Sequence, residues 1–269
     1  MGKRTFFFGI TLLISIFYLI WWVLLFFLVP THDSSLNNYF ADSYGVIAGL
    51  GGLAGLVISL KWGFLKSYVG RSISFLSLGL LSQFLGQLSY SVLFYVYGLE
   101  NAYPSFGEIF YLSSIPLYIA GIWNIANASG FKVSLNSYKN KFLAIIVPFV
   151  LLIASYFLFL RGSDLTGLPF IEIVLVYFYP IGQALFVSLA MLTYYLTKDV
   201  LGGVMRKRVV FILFALLFQY FADSLFLHEN NTGIWYAGGL SDLMFVVSYS
   251  LMAFGLLHFG SVEKDLKKV

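Results

Sequence analysis

Eight long apolar stretches, with little between them, decide what this chain can become. They run over residues 6–29, 44–60, 73–97, 106–127, 142–160, 170–196, 209–227 and 238–259. A helix needs about 20 apolar residues to cross the hydrocarbon of a bilayer, and most of the stretches are near that length. The second is the shortest and can begin earlier, near Phe40. In lipid every backbone amide must be satisfied within the protein, so a continuous apolar run becomes a helix. A barrel strand would instead show roughly 10 residues of alternating polarity. The chain is 60% hydrophobic and 10% charged, which leaves no material for a separate soluble domain. The expected fold is all-α and integral to a membrane, with eight transmembrane helices.

The basic residues sort to one side of that topology. Lys3 and Arg4 precede the first stretch, and Lys61, Lys66 and Arg71 lie between the second and third. Lys132, Lys139 and Lys141 lie between the fourth and fifth, and Lys198, Arg206, Lys207 and Arg208 between the sixth and seventh. Lys264, Lys267 and Lys268 follow the eighth, and only Arg161 falls on the opposite side. The positive-inside rule puts both termini in the cytoplasm, so the expected address is a cell (cytoplasmic) membrane. The net charge of +4 resides largely on these flanks and suits anionic lipid headgroups. No basic run resembles a nucleic-acid patch. The first stretch is too long for a signal-peptide core and has no A-x-A-like cleavage site, so it is expected to be retained. There is no Cys, which excludes disulfides and thiol chemistry. With no H-x-x-x-H pair either, no metal site of the zinc type is expected.

The two halves of the chain read as repeats. Residues 59–90 lie over 195–226 without a gap, so that Leu60, Phe75, Leu80, Leu81 and Gln83 meet Leu196, Phe211, Leu216, Leu217 and Gln219. After a two-residue adjustment Glu108, Ser114, Leu117 and Gly121 meet Asp242, Ser248, Leu251 and Gly255. The expected organisation is one membrane domain made of two four-helix repeats, 1–128 and 141–269, joined by a polar connection. Four crossings give both repeats the same polarity, with a pseudo-two-fold axis along the membrane normal. The small-residue stripe Gly45, Ala48, Gly49, Gly52 and Gly55 predicts a close helix contact. Pro116, Pro148 and Pro180 are expected to kink their helices.

Within the apolar stretches one polar pattern occurs twice. The first copy reads Gln83, Gln87, then Pro104-Ser105-Phe106-Gly107-Glu108, and the second Gln219, Asp223, then Gly239-Leu240-Ser241-Asp242. The stretches hold no Lys or Arg to pair with the three carboxylates, and an ionisable group in a membrane is a functional candidate by default. Gln83 and Gln87 share a helix face, as do Gln219 and Asp223. If the third, fourth, seventh and eighth helices adjoin, Gln83, Gln87, Glu108, Gln219, Asp223 and Asp242 converge on one cavity in the outer leaflet. His228, read as a loop residue, and Glu172 lie at similar depth, and Asp223 sits about one turn inside its helix end. Two carboxylates brought close cannot both stay ionised cheaply, which suits a proton, a hard cation or a ligand amine. Blander readings stand beside this one. Ser105 and Glu108 fit a capping box, Asp242 suits a helix dipole, and Gln83 and Gln219 suit interhelical hydrogen bonds. Tyr177 and Tyr179 lie too deep for an interfacial belt and are candidates to line a pocket for a flat or amine-bearing ligand. His32 and His258 read as interfacial.

The run Gly86-Gln87-Leu88-Ser89-Tyr90, then Tyr103-Pro104-Ser105-Phe106-Gly107-Glu108-Ile109-Phe110-Tyr111-Leu112, then Pro116-Leu117 resembles a bacterial membrane module. That module is the multi-helix sensor region found N-terminal to some diguanylate cyclases and histidine kinases. Ala222-Asp223-Ser224-Leu225-Phe226, Gly239-Leu240-Ser241-Asp242 and Tyr249 match it a second time, so the resemblance covers residues 75–122 and 210–257. It implies a sensory role and names no cofactor. Gln87 and Glu108 stand where the module's pattern has Asp, and only residues 260–269 follow the last stretch. The expected function is a ligand-sensing or binding module with an outer-leaflet acidic pocket for a cation, proton or amine. Without an output domain it signals to a cytoplasmic or membrane partner through helix shifts. The alternative is a secondary transporter or ion-coupled carrier, against which the inner helix halves are apolar apart from Asn124 and Asn127. A lipid enzyme lacks a G-x-S-x-G or other nucleophile–base set. In a purely structural subunit the acids would serve only as caps and glue.

Overall fold

The computed structural model describes residues 3–29, 34–99, 103–161, 165–198 and 203–260, with side chains from Phe6 in the first helix and from Met205 in the ninth. His32, Lys264, Lys267 and Lys268 lie outside the described residues. Every described element is helical: α1 (Lys3–Leu28), α2 (Ser35–Ser43), α3 (Val46–Lys61), α4 (Tyr68–Tyr95), α5 (Gly107–Ala128), α6 (Phe131–Ser134), α7 (Tyr138–Ser155), α8 (Phe170–Thr197), α9 (Gly203–Thr232) and α10 (Leu240–Phe259). A 3₁₀ turn, Phe64–Lys66, precedes α4, and α7 ends in a π turn, Tyr156–Leu160.

Among the described residues seven segments are long and apolar enough to cross a membrane: Phe6–Leu28, Ser35–Lys61, Gly107–Ala128, Tyr138–Leu160, Phe170–Thr197, Met205–Thr232 and Leu240–Phe259. The chain is therefore a multi-pass membrane protein. Its outer surface agrees, since Leu13, Phe27, Phe142 and Ile145 are exposed on α1 and α7, where only lipid would favour them.

Six helices close a ring. In order, α3 packs on α4, α4 on α5, α5 on α8, α8 on α9, α9 on α10, and α10 back on α3. α1 lies outside against α10 and α3, and α7 lies outside against α8. Small residues set the close approaches, because van der Waals packing must supply what the hydrophobic effect cannot in lipid. A Cβ on Gly51 would lie 2.4 Å from Ala253 Cβ, and one on Gly52 would lie 2.6 Å from Leu81 Cγ. The glycines of the second stretch thus seat α3 between α4 and α10.

The α4–α5 and α9–α10 pairs make like contacts at like positions. A Cβ on Gly121 would meet Leu76 at 2.6 Å, and one on Gly255 would meet Ile212 at 2.5 Å. Gln83 Nε2 donates to Ser114 Oγ at 2.8 Å, and Ser248 Oγ donates to Gln219 Oε1 at 2.5 Å. The Tyr90 and Tyr111 rings lie 6.2 Å apart, and those of Phe226 and Phe245 6.1 Å. The register read from the sequence pairs all six of these residues in each half.

Two boundaries differ from the sequence reading. The second stretch forms α3 and is preceded by a separate helix, α2, with a break at Tyr44-Gly45, and α2 starts at Ser35 because the Ser34 hydroxyl accepts from Asn37 N. α9 continues to Thr232 through a polar last turn, so Asp223 lies nine residues (232 − 223) from its end rather than about one turn. His228 is an exposed helical residue, not a loop residue.

The two ends of the ring differ in charge. At one end Trp62 Nε1 donates to the Phe259 carbonyl at 3.1 Å and Arg208 Nε to the His258 carbonyl at 2.9 Å. The basic connections gather there. The other end carries the starts of α5 and α10, with Glu108 and Asp242.

Candidate functional site

Glu108 stands in the first turn of α5 and is buried. Its two oxygens accept from different helices, Oε1 from the Tyr90 hydroxyl of α4 and Oε2 from the Tyr179 hydroxyl of α8. The capping box expected at Ser105 forms only in part. Ser105 Oγ accepts from Gly107 N at 3.1 Å, while the Glu108 carboxylate turns to the phenols.

Asp242 holds the matching place on α10 and is 3% exposed. Oδ2 accepts from Gly238 N at 2.7 Å and Oδ1 from the Tyr44 hydroxyl at 3.1 Å. The N–H it takes lies just ahead of the helix N-cap, Gly239, and a phenol is added. The two acids are served crosswise. Tyr44, from the N-terminal half, bonds the C-terminal acid, and Tyr179, from the C-terminal half, bonds the N-terminal one.

Asp223 lies deeper and is half-buried. Oδ1 accepts from Gln219 Nε2 at 3.0 Å. Gln219 is fully buried and takes the Ser248 hydroxyl on its oxygen. Across the ring, Tyr249 of α10 donates to Gln83 Oε1 of α4 at 3.2 Å. Tyr118 and Tyr249 lie within electrostatic reach of Asp223. Gln87 turns elsewhere and donates to the Ala41 carbonyl, which the break after α2 leaves available. Gly45 allows that approach, since a Cβ there would lie 1.8 Å from Gln87 Oε1.

The residues expected in one cavity therefore divide. Gln83, Gln219 and Asp223 line the interior of the ring, Glu108 and Asp242 sit at its end with their tyrosines, and Gln87 ties α4 to α2. No hydrogen bond joins Asp223 to Asp242. Tyr179 points inward, whereas Tyr177 is 41% exposed, as two residues on one helix, about 200° apart, must be. Tyr177 is thus not beside the acids. Glu172 and His228 bond none of the three. Tyr44 and Tyr249, which bond Asp242 and Gln83, are residues that the sequence pattern did not single out as ligands.

The connections that lead into α5 and α10 feel the acids. The Tyr103 phenol is pushed up to about 12 by burial, then by Glu108 and Glu172. Tyr236 is raised by burial, then by Glu229 and Asp242. Both phenols stay protonated at neutral pH.

The donors serving the acids are phenols, an amide and a backbone N–H, all neutral. Among the described residues no group of three or more His, Cys, Asp or Glu is placed to hold a metal ion. No protein-family model, curated protein or solved structure matches the chain.

Proposed function

We propose that the protein is a ligand-sensing or binding module of a prokaryotic cytoplasmic membrane. Its acids receive a proton, a cation or an amine, and the opposite half of the chain reads their occupancy. One observation carries this reading: among the described residues, Glu108, Asp223 and Asp242 take their hydrogen bonds from neutral donors. Such a bond stabilises a carboxylate but leaves its charge uncompensated, and an uncompensated charge in apolar surroundings is costly. A positively charged ligand compensates it. Because each end acid is bonded by a tyrosine from the other half, a ligand that takes the acid competes with the tie between halves. A helix shift transmitted to a partner on the basic side is the expected output, in keeping with the sensor-module resemblance.

The topology belongs to the same reading. α4 is the eighth span. It is 28 residues long but carries six serines and two glutamines, which lower its apolarity. Its hydroxyls are served internally. Ser74, Ser77 and Ser89 bond back to the carbonyls of Gly70, Ile73 and Leu85, and Ser72 bonds Gly121 of α5. The like contacts of α4–α5 and α9–α10 support two repeats about a pseudo-two-fold axis. The clustering of Lys and Arg at one end supports cytoplasmic termini and an outward-facing acidic end.

A carrier draws on the same ring but needs polar lining toward the basic end. There Asn124 and Asn127 donate to carbonyls of their own helix, at 2.8 and 2.7 Å. The sensor is favoured for that reason. The test is thermal unfolding of the protein in nanodiscs against pH, alkali cations and small amines, for wild type, D223N, D242N and E108Q. At least one ligand should stabilise the wild type and lose about tenfold in apparent affinity in D223N. Indifference of the wild type to all of them would overturn the proposal, and D223N-sensitive flux into proteoliposomes would favour the carrier.

A further inference from the structure

Among the described residues four cations lie over aromatic rings, and three of them share one pattern at the basic end. Arg71 Cζ lies 4.5 Å from the centre of the Tyr68 ring, Lys198 Nζ 4.8 Å from that of Tyr195, and Lys141 Nζ 5.5 Å from that of Tyr138. Each reads Tyr-x-x-Arg or Tyr-x-x-Lys, the spacing that makes two side chains neighbours on a helix. α4 and α7 start at this end and α8 finishes there. The rings are open to the surroundings, Tyr138 88% exposed, Tyr68 47% and Tyr195 38%. The α7 and α8 pairs are tied through α6, since Ser134 Oγ donates to the Leu196 carbonyl and Asn140 Nδ2 to the Ser134 carbonyl at 2.7 Å. The fourth pair, Arg161 over Phe157 at 5.5 Å, stands at the opposite end and has no phenol. The three cations of the basic end have no anionic partner. Among the described residues no Asp or Glu stands at that end, and Arg71 Nε is buried without an acceptor. A ring face attracts a cation but leaves most of its N–H donors open. The hydroxyls of Tyr68, Tyr138 and Tyr195 also make no hydrogen bond among the described residues.

We propose that the three tyrosine–cation pairs are seats for the phosphate groups of anionic phospholipids in the leaflet at the basic end. The cation supplies charge-assisted hydrogen bonds to phosphate, and the fork of Arg71 can supply two at once. The phenol offers a further donor. The ring holds the long side chain in place before the lipid arrives, so less side-chain freedom is lost on binding. That separates a seat from the general attraction of basic flanks for an anionic surface. The depth of the pairs agrees. Side chains lean toward the N-terminus of their helix, so Arg71 and Lys141, one turn inside α4 and α7, lean back over their tyrosines toward the membrane surface. Lys198 stands at the end of α8, as its C-cap. Phe64 and Leu65, on the connection that leads into α4, are exposed beside the first seat. Apolar side chains next to cations suit the boundary between headgroups and acyl chains, which favours a lipid over a soluble polyanion. The proposal is independent of the acidic site.

The experiment titrates the full chain in neutral detergent with phosphatidylglycerol or phosphatidylcholine and counts the bound lipids by native mass spectrometry. The wild type should take phosphatidylglycerol about tenfold more tightly than phosphatidylcholine. The triple variant R71Q/K141Q/K198Q should lose that preference. Y68L/Y138L/Y195L keeps every charge and should weaken phosphatidylglycerol binding by about threefold to fivefold, as loss of an exposed cation–ring contact predicts. The control K66Q/R206Q/K207Q removes three exposed cations of the same end that lie over no ring, and should change binding by less than about twofold. A wild type without preference for phosphatidylglycerol would overturn the proposal. So would a tyrosine triple that binds like the wild type, or a control triple that loses as much as the ring-paired one. Displacement of the lipid by soluble glycerol phosphate at constant ionic strength would mark a free-phosphate site and overturn the lipid assignment.

Discussion

Glu108 and Asp242 hold corresponding positions in the two halves, yet their surroundings are built differently. Asp242 is held on one side by a backbone N–H, which cannot rotate away. The connection that supplies this N–H is itself clamped, because Trp22 Nε1 donates to the Gly239 carbonyl at 3.1 Å and Asn37 Nδ2 to the Ala237 carbonyl at 2.9 Å. Those clamps come from α1 and α2, which cover this side of the ring. Glu108 is held by two phenols at the ends of rotatable side chains. Tyr103, on the connection beside it, is 51% exposed. α7 packs against α8, while α1 packs against α10 and α3. One acid is therefore held partly by backbone and the other by side chains alone. Two acids in like places differ through what holds and covers them as much as through the residues themselves.

Removing the acids should break this comparison most visibly. Asp242→Ala leaves Gly238 N–H and the Tyr44 hydroxyl without an acceptor in a sealed site, and should cost about 3–4 kcal/mol, since each unsatisfied buried group costs about 1–3. Glu108→Ala should cost about half as much, because Tyr90 and Tyr179 lie near the end of the ring and can rehydrate. Thermal unfolding in one detergent measures both, and equal losses would end the distinction between the two acids. A smaller effect follows at the helix contact that seats α3. Gly51→Val should cost about 2–3 kcal/mol by overpacking, because its Cβ would meet Ala253 backbone as well as side chain. The least costly change sharpens the comparison. Trp22→Phe loses one hydrogen bond, about 1 kcal/mol, and should raise hydrogen exchange at Gly238 without altering exchange at Gly107.

The sequence carried the apolar stretches, the three unpaired acids and the register that matches Gln83 to Gln219 and Ser114 to Ser248, because each is a local pattern or a repeat of one. Ring order was not legible. Whether α5 meets α8 or α9 depends on packing between distant segments, which no local period encodes. Tyr44, Tyr118 and Tyr249 were hidden among 19 tyrosines, since in a membrane helix a buried tyrosine and a lipid-facing one share the same apolar neighbours. Tyr177 and Tyr179 show the difficulty, being two residues apart yet facing out and in. The depth of Asp223 is not legible either, because His228–Thr232 looks like a loop by polarity, although α9 runs through it.

The crosswise bonding of acids by tyrosines is the claim on which the rest depends, and two double-mutant cycles test it directly. One combines Tyr44→Phe with Asp242→Asn and the other Tyr179→Phe with Glu108→Gln, all read by unfolding in the same lipid. Each cycle should show coupling of about 1–2 kcal/mol, as expected for residues in contact. Additivity within about 0.3 kcal/mol in both cycles would contradict it, because the tyrosine of one half would then not be holding the acid of the other.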